Sequence, residues 1–235
     1  MPVDNRWYDG LGASWWDPDG PVAALHELNP VRVAYFAETL RRVRPDAERT
    51  RVLDAGCGGG LVADALARDG IEVVGLDASL PSLRAAREHA AERALAVAAA
   101  YLGGDAQRLP FADGAFDAVV CAEVIEHVEE PDRLLREAAR VLAPGGVLLF
   151  GTPNRTVHTR VALIWLAEAL GWAPRHTHDY RRLLTPDELT ARCAAAGWAA
   201  SGSPTTCASP TPATRRLTPN RESSIFEIEK KFFSI

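Results

Sequence analysis

Over residues 50–152 the chain alternates short apolar runs with longer amphipathic ones: RVLDA then LVADALARDG, EVVGLD then PSLRAAREHAAERA, FDAVVCAEV then PDRLLREAARVLAPGG, and finally VLLFGT. The short runs are near-continuous in apolar residues, as expected of parallel strands covered on both faces rather than strands with one wet face. The pattern predicts an α/β, doubly wound, Rossmann-like sheet. Residues 1–45 hold two helical candidates, one of them over 29–44, and the stretches 157–170 and 186–196 are helical in pattern too. Lying before the first strand and after the fifth, these helices are placed to cap the carboxyl ends of the strands, where open α/β sheets bind ligands.

A chain of 235 residues suits one domain with appendages. We expect that domain over 1–200, divided into an N-terminal helical cap (1–45), a ligand-binding core (50–155) and substrate-side helices (156–200). From Ser201 the composition turns to Ser, Thr and Pro (SGSPTTCASPTPATRRLTPN), and the only lysines of the chain are Lys230 and Lys231. Residues 201–235 therefore read as a divergent tail or linker. With 26 basic and 31 acidic residues, a net charge of -5 offers no global attraction for nucleic acid, and a small-molecule substrate fits better. Four scattered cysteines form no CxxC pair, which argues against a disulfide framework or a thiolate zinc site. An early acid and the lack of a basic-then-apolar leader make a cytoplasmic location the expectation.

The sharpest local signal is Asp54-Ala55-Gly56-Cys57-Gly58-Gly59-Gly60 between a strand and a helix. Glycines there let a ligand approach the backbone. A dinucleotide loop would need a third glycine where Leu61 stands, and Asp54 would sit badly beside a pyrophosphate. That acid suits a cofactor with a cationic amino group. Asp77 ends the second strand, where a carboxylate can accept hydrogen bonds from both ribose hydroxyls, and Asp105 after the third run is placed for an adenine amino group. Singly, each acid is an ordinary turn former. Three of them at successive strand ends beside a glycine loop make a site.

Taken together, VLDAGCGGG, GLD, GDAQRLPF, FDAVVCAEVIEHV and LAPGGVLLFGTPN resemble the class I S-adenosylmethionine-dependent methyltransferases over residues 50–155. The resemblance implies that family's seven-stranded sheet with an antiparallel last strand. A narrower similarity, carried by WWDPDG (15–20), LHELNPVRVAYF (25–36), EVIEHV (123–128), GTPNRT (151–156) and THDYRRLLTPDEL (177–189), is to the ubiquinone-biosynthesis O-methyltransferases, which methylate polyprenyl phenols and catechols. By that resemblance Arg32, Gly56, Asp77 and Ala122 contact the cofactor, with Gly58 in the same loop. The implied acceptor is an aromatic hydroxyl compound.

A helical turn starting at Glu123 would put Glu123, Glu126 and His127 on one face. Two carboxylates and an imidazole suit Mg2+ or another hard divalent metal, which could hold a catechol and acidify its hydroxyl. The quinone-pathway resemblance implies such a cation, with His178 as a further candidate ligand. Without metal, His127 or His178 is the general base, with Glu126 beside it. Cys57 and Cys121 are read as buried structural thiols. The apolar stretch from Val161 to Trp172 serves either as a lid or as a peripheral membrane contact, and Trp15 and Trp16 either line an aromatic pocket or anchor the cap. Two rival readings stay open: a tailoring methyltransferase acting on a natural-product phenol or sugar, and a cofactor-binding protein whose C-terminal strands, and with them catalysis, have been lost.

Overall fold

The structure, a computed structural model, describes residues 5–44, 49–93, 99–156, 179–200 and 206–208. Its centre is a seven-stranded sheet. Strands β1 (Arg51–Ala55), β2 (Glu72–Asp77), β3 (Ala100–Gly103), β4 (Phe116–Ala122) and β5 (Leu142–Gly151) are joined by β6 (Ala199–Ala200) and β7 (Thr206–Ala208). The order is β3-β2-β1-β4-β5-β7-β6. β1 to β5 are mutually parallel, whereas β7 runs antiparallel to both β5 and β6. The helices are α1 (Ala23–Val43), α2 (Leu61–Arg68), α3 (Leu80–Arg93), α4 (Pro131–Val141) and α5 (Pro186–Ala195).

Period-2 alternation along buried strands sends neighbouring side chains to opposite layers. Leu53, Val119, Leu148 and Phe150 pack with Leu134, Leu135 and Ala138 of α4 and with Leu189 of α5. Their neighbours Val52, Ala118, Val120, Val147 and Leu149 face Phe36 and Leu40 of α1 and Leu66 of α2. With both faces covered, β1, β4 and β5 are buried almost throughout, while the edge strand β3 is largely exposed. No helix among the described residues is long and apolar enough to cross a membrane.

Three expectations are corrected here. The helix expected over 29–44 begins at Ala23 and runs through Pro30; the Asn29 side chain, instead of capping a new helix, donates to the Leu61 carbonyl at 2.9 Å. β5 reaches back to Leu142 through an irregularity: Phe116 pairs with Leu142 but Ala118 with Val147, and Gly145 supplies the positive φ of 79° that the bulge requires. Finally, Thr206–Ala208 lies inside the stretch read as a tail from residue 201, yet it pairs with Leu149 to Val147 of β5. Thr, Pro and Ser dominate that composition, and three consecutive backbone-competent residues are enough for the ladder. Among the described residues, two short strands, Ala199–Ala200 and Thr206–Ala208, thus stand at this edge of the sheet. α5 starts where expected, fixed by a capping box between Thr185 and Glu188 with Pro186 in its first turn.

Candidate active site

The glycine loop is tied to the end of β2 by backbone bonds. The N–H groups of Gly56 and Cys57 both donate to the Leu76 carbonyl, at 2.7 and 3.0 Å. Gly56 and Gly58 have φ of 82° and 52°, a region L side chains rarely occupy. Asp77 closes the arrangement: Gly58 N–H donates to its Oδ2 at 2.7 Å and Ser79 N–H to its Oδ1 at 2.8 Å. Burial raises the Asp77 pKa, and the N–H groups of Ser79, Gly58 and Ala78 oppose that rise. Each oxygen keeps lone pairs for further donors. Asp54, one strand over, is 1% exposed with Oδ2 unpartnered. Burial pushes its carboxyl up to about 7, offset in part by the Arg32 guanidinium. A buried acid with an orphaned oxygen invites a cation.

Two 3-10 turns, Asn5–Gly10 and Gly12–Trp16, fold over this loop. Trp15, 5% exposed, lies so close to the glycines that a Cβ on Gly58 would stand 2.6 Å from its ring and one on Gly59 2.3 Å from it. Its indole N–H donates to Ser82 Oγ at 3.0 Å. Ser82 Oγ in turn donates to the Tyr8 carbonyl at 3.2 Å, and Ser79 Oγ donates to Asp9 at 2.6 Å. The turns are thus latched to the start of α3, next to Asp77. Tyr8 stacks on Trp15 with 6.0 Å between ring centres, and meets the His127 imidazole edge-on at 5.8 Å. Trp16 anchors the cap by stacking on His89.

After β4 the chain turns sharply. Glu123 adopts φ 57°, the only described non-glycine residue with positive φ. Such a conformation costs on the order of 1 kcal/mol or more and persists only where surroundings impose it. It also breaks the helical turn expected from Glu123, so Glu123, Glu126 and His127 do not share a helix face; a tight turn closed by His127 N–H on the Val124 carbonyl at 2.8 Å takes its place. Glu126 is 3% exposed; its Oε2 accepts from Thr152 Oγ1 at 3.1 Å and its Oε1 is unpartnered. Burial first, and the charge of Glu123 second, hold its carboxyl well above the usual range. Glu123 faces the buried Arg32 guanidinium, with Nη1 3.7 Å from Oε1. Arg32 Nε is buried and unpartnered.

The two parts touch at Gly56. A Cβ built there would lie 2.4 Å from Val124 Cγ2, so the missing side chain is the space the acidic turn occupies. Glu126 and His127 follow Val124 within one turn, the carboxyl held by Thr152 and the imidazole against Tyr8. Ala122, the last residue of β4, pairs with Gly151 of β5 at the same level.

Other expectations meet mixed outcomes. Asp105 is exposed, and its Oδ1 accepts from Gln107 N–H at 2.8 Å, the work of a turn former at the rim. Cys57 and Cys121 are buried thiols whose pKa burial drives upward, as befits packing residues rather than nucleophiles. His178 and the stretch from Val161 to Trp172 lie outside the described residues. No group of three His, Cys, Asp or Glu side chains among the described residues could hold a metal ion. The three proposed ligands do not fit one as they stand, because Glu123 already faces Arg32 and the left-handed turn separates it from His127. Sequence reasoning missed Tyr8, Ser79, Ser82 and Thr152. Thr152 lay in a quoted segment, GTPNRT, without a role; Tyr8 gave no local signal at all.

Comparison with known proteins gives this geometry relatives. Residues 53–150 match the family described as methyltransferase domain. The ubiquinone biosynthesis O-methyltransferase of Azorhizobium caulinodans is 39% identical over 206 residues, which span 84% of this chain and 80% of that protein. Its namesake from Caulobacter sp. strain K31 is 41% identical over 200 residues, 81% of this chain and 78% of that one. Among solved structures, a putative methyltransferase from Bacillus halodurans C-125 is similar with a TM-score of 0.55 and 26% identity over 68% of each chain. The cyclase SpnF is similar with a TM-score of 0.55 and 29% identity, over 70% of this chain and 56% of that one.

Proposed function

The chain belongs to the ubiquinone biosynthesis O-methyltransferase family of S-adenosylmethionine-dependent methyltransferases, and we propose that its acceptor is a phenolic or catecholic small molecule, on the quinone-precursor pattern its relatives' names describe. Fold alone does not decide the reaction, since a cyclase shares it. The observation that favours an aromatic acceptor is the wall formed by Tyr8, edge-on to His127 and stacked on Trp15 above the glycine loop. Aromatic faces and edges select flat ring systems.

The residues present fit the cofactor. When bound, S-adenosylmethionine supplies a sulfonium methyl group open to in-line displacement by an acceptor oxygen. Asp54 meets the demand of a cationic amino group with its orphaned Oδ2, and Arg32 offers its unpartnered Nε to the neighbouring carboxylate. Asp77 takes the ribose hydroxyls, already held in place by Gly58 and Ser79. Gly56 and Ala122 contribute backbone along the methionine chain, and Asp105 stands at the adenine end.

On the acceptor side His127 removes the proton. Glu126 is buried beside Glu123, and burial holds its carboxyl well above the usual range. It serves instead as a hydrogen-bond partner that orients the acceptor or the imidazole, and Thr152 fixes its rotamer. The N-terminal turns exclude water over the reacting atoms. No step is assigned to a metal.

The test is methyl transfer from labelled S-adenosylmethionine to catechols, polyprenyl phenols and sugars, each with and without chelator. Methylation of phenols or catechols but not of sugars supports the reading, and turnover confined to sugars overturns it. Activity unchanged by chelator is expected if His127 alone removes the proton, and loss on chelation restored by Mg2+ would overturn that assignment.

A further inference from the structure

Among the described residues, Tyr8 reaches from the cap over the glycine loop to the acidic turn. Its ring is fixed between Trp15 and His127. Its backbone is fixed by Ser82, and the residue after it by Ser79. Burial first, then the negative charge of Glu126, Glu123 and Asp77, raises the phenol pKa far above its ordinary value. Those three carboxyl groups come from two different strand ends, Asp77 from β2 and the others from the turn after β4. The Tyr8 ring therefore bridges the cap over the glycine loop and the imidazole of the acidic turn. A phenol in that field remains a donor at every working pH and is useless as a base. A donor among acids, beside a ring that meets the proposed base edge-on, is placed to hold an acceptor oxygen.

Resting on the phenolic reading above, we propose that Tyr8 is an acceptor-positioning residue: its hydroxyl donates to an oxygen of the bound phenol or catechol while its ring holds that acceptor against His127. A single residue on the N-terminal turns would then couple closure of the cap to completion of the acceptor pocket. The cofactor side does not need the Tyr8 hydroxyl, because Asp77 has its own backbone donors. The proposal separates the two ligands: removing the hydroxyl weakens acceptor binding and leaves cofactor binding in place.

The experiment uses the full chain and two variants, Tyr8→Phe, which keeps ring and stack, and Tyr8→Ala, which removes both. 4-Nitrocatechol, whose absorbance reports its binding, is titrated into the complex with S-adenosylhomocysteine, and S-adenosylhomocysteine affinity is measured separately by calorimetry. Tyr8→Phe is expected to weaken 4-nitrocatechol about tenfold, the size of one hydrogen bond lost in a buried site, and to change S-adenosylhomocysteine affinity by less than about twofold. Tyr8→Ala is expected to weaken 4-nitrocatechol further. Where an acceptor is turned over, KM should rise in Tyr8→Phe more than kcat falls. Equal probe binding by wild type and Tyr8→Phe overturns the proposal alone, as does an equal loss of both ligands, which would mark Tyr8 as part of the cap's packing. Wild-type protein that binds neither 4-nitrocatechol nor any phenol overturns the phenolic reading, and the Tyr8 role with it.

Discussion

The cofactor half and the acceptor half of this site are built from different materials. Around the glycine loop the fixed points are backbone groups: Leu76 O holds two N–H groups, and Asp77 is held by two more. Around the acidic turn they are side chains: Arg32 against Glu123, Thr152 on Glu126, Tyr8 against His127. Backbone scaffolding is insensitive to which side chains surround it, whereas a cluster of coupled, buried acids depends on every member. The contrast predicts a cofactor site that tolerates change around it and an acceptor site that does not.

The largest break should come on the acceptor side. His127→Ala is expected to lower kcat by about a hundredfold or more, the usual contribution of a positioned general base, with S-adenosylhomocysteine affinity unchanged. Single-turnover kinetics beside calorimetry would show it, and equal loss of both would assign His127 to folding. Next in size, Asp77→Ala should weaken S-adenosylhomocysteine by about 1–3 kcal/mol, because it strands the Gly58 and Ser79 donors as well as the ribose hydroxyls. Normal cofactor affinity in that variant would displace the ribose from Asp77.

Asp54 sharpens the comparison through pH. Its folded pKa of about 7 lies above the roughly 3.9 of an unfolded chain. A raised pKa stabilises the cofactor-free fold most at low pH, and that contribution is lost as pH climbs through about 7. A cation bound beside the carboxyl lowers its pKa, so S-adenosylhomocysteine binding near pH 6 should release a proton and tighten as pH rises toward about 7. Calorimetry in two buffers of different ionisation enthalpy measures the release, and Asp54→Asn should abolish it. Smallest of all, Ser82→Ala, which removes the buried hydroxyl shared by Trp15 and Tyr8, should weaken acceptor binding only a few-fold, because that hydroxyl acts on the acceptor only through Tyr8. A larger effect on cofactor than on acceptor affinity would place the latch on the wrong half.

Much of the cofactor half was legible because its signals are local. RVLDA and EVVGLD coincide with β1 and β2 residue for residue, and the glycine loop with its flanking acids follows from backbone geometry that short motifs encode. The acceptor half was legible in composition but not in shape. EVIEHV names the acids, yet the left-handed Glu123 stands against Arg32 and beside Val124, which packs on Gly56, and neither Arg32 nor Gly56 lies nearby in sequence. Tyr8 reaches His127 across 119 positions, a contact no periodicity can announce. β7 was hidden by its flanks: Thr206–Ala208 is too short to stand out between prolines, and β5's open edge, not intrinsic propensity, makes it a strand.

The 2.4 Å that separates an imagined Gly56 Cβ from Val124 has a consequence for how such an enzyme can diversify. The acidic turn is the natural place to vary when a lineage acquires a new acceptor, but position 124 is mortised into the cofactor loop. Enlarging it would press on the loop that every acceptor shares, so inheritance at that one position is tied to the methyl donor. Its neighbours in the turn answer to the acceptor instead, through Arg32, Thr152 and Tyr8.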